Sequence, residues 1–246
     1  ILFFSTLIFG NSYEEVLIAI EKKEYESALS IIDSVKNDSK DAKLFYLASQ
    51  TYYAIGNLDA ANSNILKAIE NKADNKEYRE YQKKLENLKS SLKSAQKTFD
   101  NGYLENSIAE YNLLIATFPN SPLPYYSIGQ VYLKTINYNK AVENFNKAIV
   151  INPYEKEKYS KSITSISQRL AKSGDDKFRI REFDEALQLY LEAIAYNPSF
   201  IAVLYRITNV YQQIRDYDNA KIFAEKTLLH DPYHYKAMKT LGDLYY

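Results

Sequence analysis

Apolar residues recur along this chain three and four positions apart, in runs of about a dozen residues separated by short polar segments. The clearest case begins at Pro122. Tyr125, Ile128, Gly129 and Tyr132 form one stripe, Ala141, Phe145 and Ala148 form a second, and Pro153 closes the pattern. Such spacing places side chains on one face of a helix, so the stretch predicts two amphipathic helices facing each other. Gly129 and Ala141 are small where two such helices must approach closely. Pro153 cannot continue the second helix and resets the chain.

The pattern returns along the chain. Phe183, Ala186, Tyr190, Ala193 and Pro198 make one further copy, and Leu204, Ile207, Tyr211, Tyr217, Ala220, Ala224 and Pro232 make another. Upstream, Phe45, Tyr52, Gly56, Leu58, Ala61, Ile65 and Ala68 keep the register without the proline, and Gly102, Leu104, Ser107, Tyr111, Leu114 and Pro119 keep it with one. Tyr25, Ala28, Ile32 and Val35 give a weaker first unit. Met238, Leu241, Gly242 and Tyr245 restate only a first helix. These positions resemble the tetratricopeptide repeat (TPR) pattern, with Tyr125 where that family usually has Trp. The resemblance covers nearly everything after residue 12. It implies an all-α fold, a right-handed superhelical solenoid of TPR-like helix hairpins over 13–246. The repeats fall at about 13–41, 42–75, 76–121, 122–155, 156–200 and 201–234, with a terminal helix at 235–246.

Repeat length alternates. Ala61, Ser107, Ala141, Ala186 and Ala220 lie 46, 34, 45 and 34 residues apart. The extra residues fall in Asn75–Leu88 and Glu155–Ser167, which contain no Gly or Pro, so two lengthened first helices are expected. About 11 added residues lengthen a helix by roughly 16 Å, and two long helices are expected to jut from one edge of the solenoid. Their apolar residues step at seam spacing: Tyr78, Tyr81, Leu85, Leu88, Leu92, Ala95 and Phe99 in one, Tyr159, Ile163, Ile166 and Leu170 in the other. Two readings follow. The stripes pack against neighbouring helices of the same chain, or Tyr78, Tyr81, Leu85, Tyr159 and Ile163 form a docking ledge for a partner or a second copy, giving a homo-oligomer through the long helices.

Composition narrows the function classes. With Lys+Arg 31 against Asp+Glu 31, the formal charge is zero and argues against a nucleic-acid partner. The basic run Lys83, Lys84, Lys89, Lys93 and Lys97 is interrupted by Glu86 and preceded by Glu80, as in a solvated helix face. Absence of cysteine rules out disulfides, thiol nucleophiles and thiolate metal sites. Ile1–Phe9 is uniformly apolar, followed by Gly10, Asn11 and Ser12. It is too short to span a bilayer alone and reads as a signal-peptide remnant or membrane anchor over 1–12. An exported protein, periplasmic or envelope-associated, with its N-terminus near the membrane, is the expectation.

Candidate chemistry is sparse. His230 and His234, the two histidines, flank Pro232 at a predicted helix break and suit a repeat junction better than a metal site. No phosphate-cradling loop or nucleophile elbow occurs. No catalytic, cofactor-binding or metal-binding residue is proposed, and no enzyme is expected. Resemblance to the TPR family implies instead a concave face built from first helices that holds a peptide or partner helix. On that face the inward positions are Tyr46, Gln50 and Tyr53, then Tyr126, Gln130 and Lys134, then Tyr205, Asn209, Gln212 and Gln213. Tyr followed four residues later by an amide suits backbone recognition. Tyr at the position where the chaperone-tail-binding subgroup carries Lys argues against a carboxylate clamp. The expected function is a non-enzymatic adaptor or assembly scaffold. The alternative is a transport-associated carrier of a small apolar ligand in a superhelical pore, which an enclosed apolar cavity would favour over an open polar-aromatic trough.

Overall fold

The computed structural model describes residues 13–36 and 41–245, and every regular element among them is helical. The expected signal or anchor at 1–12 lies outside the described residues. Helix α1 covers residues 13–21. It is followed by α2 (Tyr25–Lys36), α3 (Ala42–Ala54), α4 (Leu58–Asn71), α5 (Lys76–Asp100), α6 (Leu104–Thr117), α7 (Pro122–Lys134) and α8 (Tyr138–Ile151). A single 3-10 turn at Pro153–Glu155 leads into α9 (Lys156–Arg179), α10 (Phe183–Tyr196), α11 (Ile201–Gln213), α12 (Tyr217–His230) and α13 (Tyr235–Tyr245). The chain forms two compact units, 1–159 and 160–246.

Local chemistry sets the helix ends. Asn57, Asn137 and Asp216 cap α4, α8 and α12 by accepting from the backbone N–H three residues on, at 3.0, 3.3 and 3.1 Å. Helices α6, α8, α10 and α12 end at Thr117, Ile151, Tyr196 and His230, each two residues before a proline. The turn inside each hairpin contains one residue in the left-handed region: Lys23, Gly56, Gly102, Ile136, Arg181 and Arg215. That conformation lets the residue's own N–H and the one after it reach back to helix-terminal carbonyls, as in Gly102 to Phe99 at 3.0 Å and Tyr103 to Thr98 at 3.1 Å.

In unit 1 the closest helix approach is where the sequence places it. A Cβ built on Gly129 would lie 2.6 Å from the Phe145 ring. Ser49 fills the same slot in α3, and its hydroxyl donates to the Ala61 carbonyl at 2.6 Å. In α5 the slot holds the fully buried Ala95, in one core with the buried Tyr111. Because the small residue keeps its distance from the following hairpin turn, the added residues of α5 sit at its N-terminal end.

Helices α5 and α9, of 25 and 24 residues, are long as expected, but the ledge does not form at the residues assigned to it. Tyr78, Leu85 and Tyr159 are buried, and Tyr81 and Ile163 are half-buried. Tyr78 lies against Tyr46, with ring centroids 4.8 Å apart, and Tyr81 against Tyr46 and Tyr53 at 5.3 and 6.3 Å. Tyr159 lies 5.2 Å from Tyr126. Burying the aromatic stripe against the preceding hairpin removes it from water at roughly 25 cal/mol per Å², so the extension folds onto its own chain instead of jutting from it.

Unit 2 repeats the close approach. A Cβ on Gly174 of α9 would lie 2.5 Å from the Tyr190 ring. Beside it the Asp175 carboxylate accepts from the Tyr190 hydroxyl at 2.7 Å and from Arg206 Nε at 2.6 Å, joining α9, α10 and α11. Helix α13 packs on α12 through Ala237 and Thr240, whereas a Cβ on Gly242 would meet nothing within 4 Å.

Candidate functional site: a cleft in unit 1

The inward tyrosines of unit 1 are not laid out as an open trough. Tyr46 donates to Glu77 Oε1 at 2.9 Å and accepts from Gln50, while Tyr78 and Tyr81 cover its ring. Burial, together with the Glu77 carboxylate, pushes its hydroxyl up to about 12. Tyr53 is buried under Tyr81, with Lys84 Nζ 5.7 Å from its ring centroid. Tyr126 lies between Phe145 and Tyr159, Gln130 is half-buried and engaged, and Lys134 is exposed with its ammonium 4.7 Å from the Phe99 ring centroid. Tyr46, Tyr53 and Tyr126, the tyrosines of unit 1 expected to greet a partner, are thus each covered by the start of the following long helix. The physical reason is proximity: a helix lengthened at its N-terminal end has the previous first helix as its nearest apolar surface.

In unit 2, Tyr205, Asn209 and Gln212 are half-buried on α11, and Gln213 is exposed. The Tyr205 ring lies 4.9 Å from that of His234. His234 Nδ1 accepts from the Ala237 N–H at 3.2 Å, so it caps α13. No group of three or more His, Cys, Asp or Glu able to hold a metal occurs among the described residues. No helix among them is long and apolar enough to cross a membrane.

What unit 1 does present is a cleft of about 740 Å³. Its wall is apolar where Leu29, Tyr52, Leu92 and Leu123 meet. At its rim stand two ion pairs, Lys89 with Asp59 at 2.5 Å and Lys158 with Glu155 at 3.6 Å, and the half-exposed Tyr154. Lys158 also sits over the Tyr126 and Tyr159 rings, 5.4 and 5.8 Å from their centroids. The cleft exists because unit 1 closes on itself. Tyr25 donates to the Ile151 carbonyl at 3.2 Å, Lys23 donates to the Val150 carbonyl, and Asn152 Nδ2 donates to the Ile55 carbonyl at 3.0 Å. A Cβ on Gly56 would touch Leu123 Cδ2 at 3.0 Å, so this glycine serves both the left-handed turn and the close approach of α7.

Sequence reading missed Tyr52, Lys89, Tyr154 and Lys158 as site residues. Tyr154 carried a usable signal, a large aromatic directly after the helix-ending Pro153. The others become neighbours only through contacts about a hundred residues apart, which periodicity does not encode.

Together the hairpins define the class: an all-α helical-repeat protein. Residues 124–155 match the tetratricopeptide repeat family model, and a hairpin of the same build recurs in both units. Solved structures similar to it include MamA, 23% identical over 61% of this chain and 82% of that one, with a TM-score of 0.33. The TPR domain of P58(IPK) is 13% identical over 96% and 87%, with a TM-score of 0.37. The C-terminal part of a TPR repeat-containing protein from Cytophaga hutchinsonii is 16% identical over 93% and 99%, with a TM-score of 0.41. No curated protein matches the chain.

Proposed function

We propose that the protein is a non-enzymatic interaction scaffold whose unit 1 cleft holds a short segment of a partner polypeptide. The observation that carries this reading is the make-up of the cleft: an apolar wall with a rim of tyrosine and of lysines already paired within the chain. Tyr supplies stiff contact area with a polar end, and an apolar wall beside it suits one or two partner side chains. The rim charges are mutually compensated, so recognition rests on shape and apolar contact. A carrier of a small apolar ligand would call for an enclosed apolar chamber, and this cleft is open and mixed in character. The reading includes export to the periplasm or envelope, for which the support is the apolar run Ile1–Phe9 in the sequence.

A photo-crosslinking residue replacing Tyr154, exposed at the rim, tests the proposal in native envelope extracts. Light-dependent adducts of discrete polypeptide mass are expected, and the same residue replacing Leu229, an exposed position in the other unit, gives a different pattern. If Tyr154 yields no polypeptide adduct while a small molecule co-purifies, the scaffold reading gives way to the carrier.

A further inference from the structure

We propose that the α1–α2 hairpin is a lid over the unit 1 cleft, hinged on α3 and latched on the C-terminal end of α8. This rests on the reading of the cleft as the binding site. Leu29, on α2, belongs to the cleft wall, so movement of this hairpin changes the opening directly.

The two sides of the hairpin are held by different chemistry. On the hinge side Val16, Ala19, Ala28 and Ile32 pack with Leu47 and Ala48 of α3 in a small buried cluster of their own, separate from the larger core that runs through α3 to α7. Parting that side would expose these six apolar side chains to water. The hinge side adds the Tyr13-to-Asp41 hydrogen bond to this cluster, whereas on the latch side one buried ring, that of Tyr25, is held by polar contacts. The Lys23 ammonium donates to the Val150 carbonyl and the Tyr25 hydroxyl donates to the Ile151 carbonyl at 3.2 Å, both on the last residues of α8. Helix-terminal carbonyls have no partner within their helix and attract a cation. Water replaces such donors when the contact opens, so each bond shifts the closed-to-open ratio by only about threefold to tenfold. The hairpin therefore swings about its apolar side and releases at its polar side. Tyr25 is otherwise buried, and that burial raises its hydroxyl pKa further above the neutral range, where a tyrosine is already a donor.

Because the chain has no cysteine, thiols introduced at the exposed positions Glu26 on α2 and Asn146 on α8 take nitroxide labels at those sites alone. Electron–electron distance measurement on the full chain is expected to show one dominant short-distance population. Combining Lys23→Met with Tyr25→Phe keeps the apolar stems and removes both donors. The longer-distance population should then grow roughly tenfold or more, with helix content unchanged by circular dichroism. Tyr25→Phe alone should give a smaller growth and carries the test if the double variant loses helicity. A distance distribution identical in the parent and the variants overturns the lid. The measurement needs no partner: if the distances shift while Tyr154 crosslinks nothing, the lid stands and the scaffold reading falls.

Discussion

The plain hairpin α7–α8 and the long hairpin α5–α6 share one contact and differ in one. In both, a small residue in the first helix, Gly129 or Ala95, sits opposite an aromatic in the second, Phe145 or Tyr111. The long hairpin adds an N-terminal extension whose Tyr78 and Tyr81 lie on Tyr46 of the hairpin before it. The contact within a hairpin makes the repeat, and the contact between hairpins decides which inner surface stays open. Lengthening the first helix turns the inner face of the preceding one into core.

The strongest way to break that comparison is Tyr78→Ala. If the extension is core, removing a buried aromatic should cost about 3–5 kcal/mol, read by urea denaturation. A cost below about 1 kcal/mol would mean that the extension contributes little to the fold and that its aromatic stripe is free to serve as a ledge. Gly129→Ala probes the shared contact instead. Its new Cβ meets the Phe145 ring at 2.6 Å, and overpacking of this kind should cost about 1–3 kcal/mol. Gly242→Ala is the control, since its Cβ meets nothing, and a helical alanine there should gain about 0.5–1 kcal/mol.

The helices, the two long ones and the close approach at Gly129 were legible because each is written within about two dozen residues, although the sequence reading paired Gly129 with Ala141 and the structure sets it against Phe145. Counting sixteen residues back from Tyr190, as from Phe145 to Gly129, also finds Gly174, so that contact too is written in the sequence. The covering of Tyr46 and Tyr126 was not legible. An apolar seam states that something lies against it, not whether that is the next helix or another molecule. The closure of Tyr25 onto Ile151 was beyond reach for a related reason: a hydroxyl meeting a helix-terminal carbonyl leaves no pattern in either segment.

The turns sharpen the comparison at smaller scale. The long hairpin turns through Gly102 at φ 84°, the plain one through Ile136 at φ 59°, and Ile136 is 70% exposed. A β-branched residue in the left-handed region costs about 1–2 kcal/mol relative to glycine, and its exposed side chain offers little packing in return. Ile136→Gly should therefore raise stability by about 1 kcal/mol. An unchanged or lower denaturation midpoint would show that the side chain holds the turn in a way its exposure does not suggest.

The smallest effect is expected at Tyr81. Its hydroxyl is buried without a hydrogen-bond partner, and that burial pushes its pKa up. Leaving a buried hydroxyl unpaired opposes the gain from burying the ring. Tyr81→Phe keeps the ring against Tyr46 and Tyr53 while deleting the unpaired oxygen, so stability should stay level or rise by about 1 kcal/mol. If the variant is instead weaker by that amount, the hydroxyl has a partner in solution, such as a bound water, and the seam between α3 and α5 is wetter than its aromatic packing implies. That result would separate the two hairpins further: a dry Gly129–Phe145 contact within one repeat, and a hydrated tyrosine seam between two.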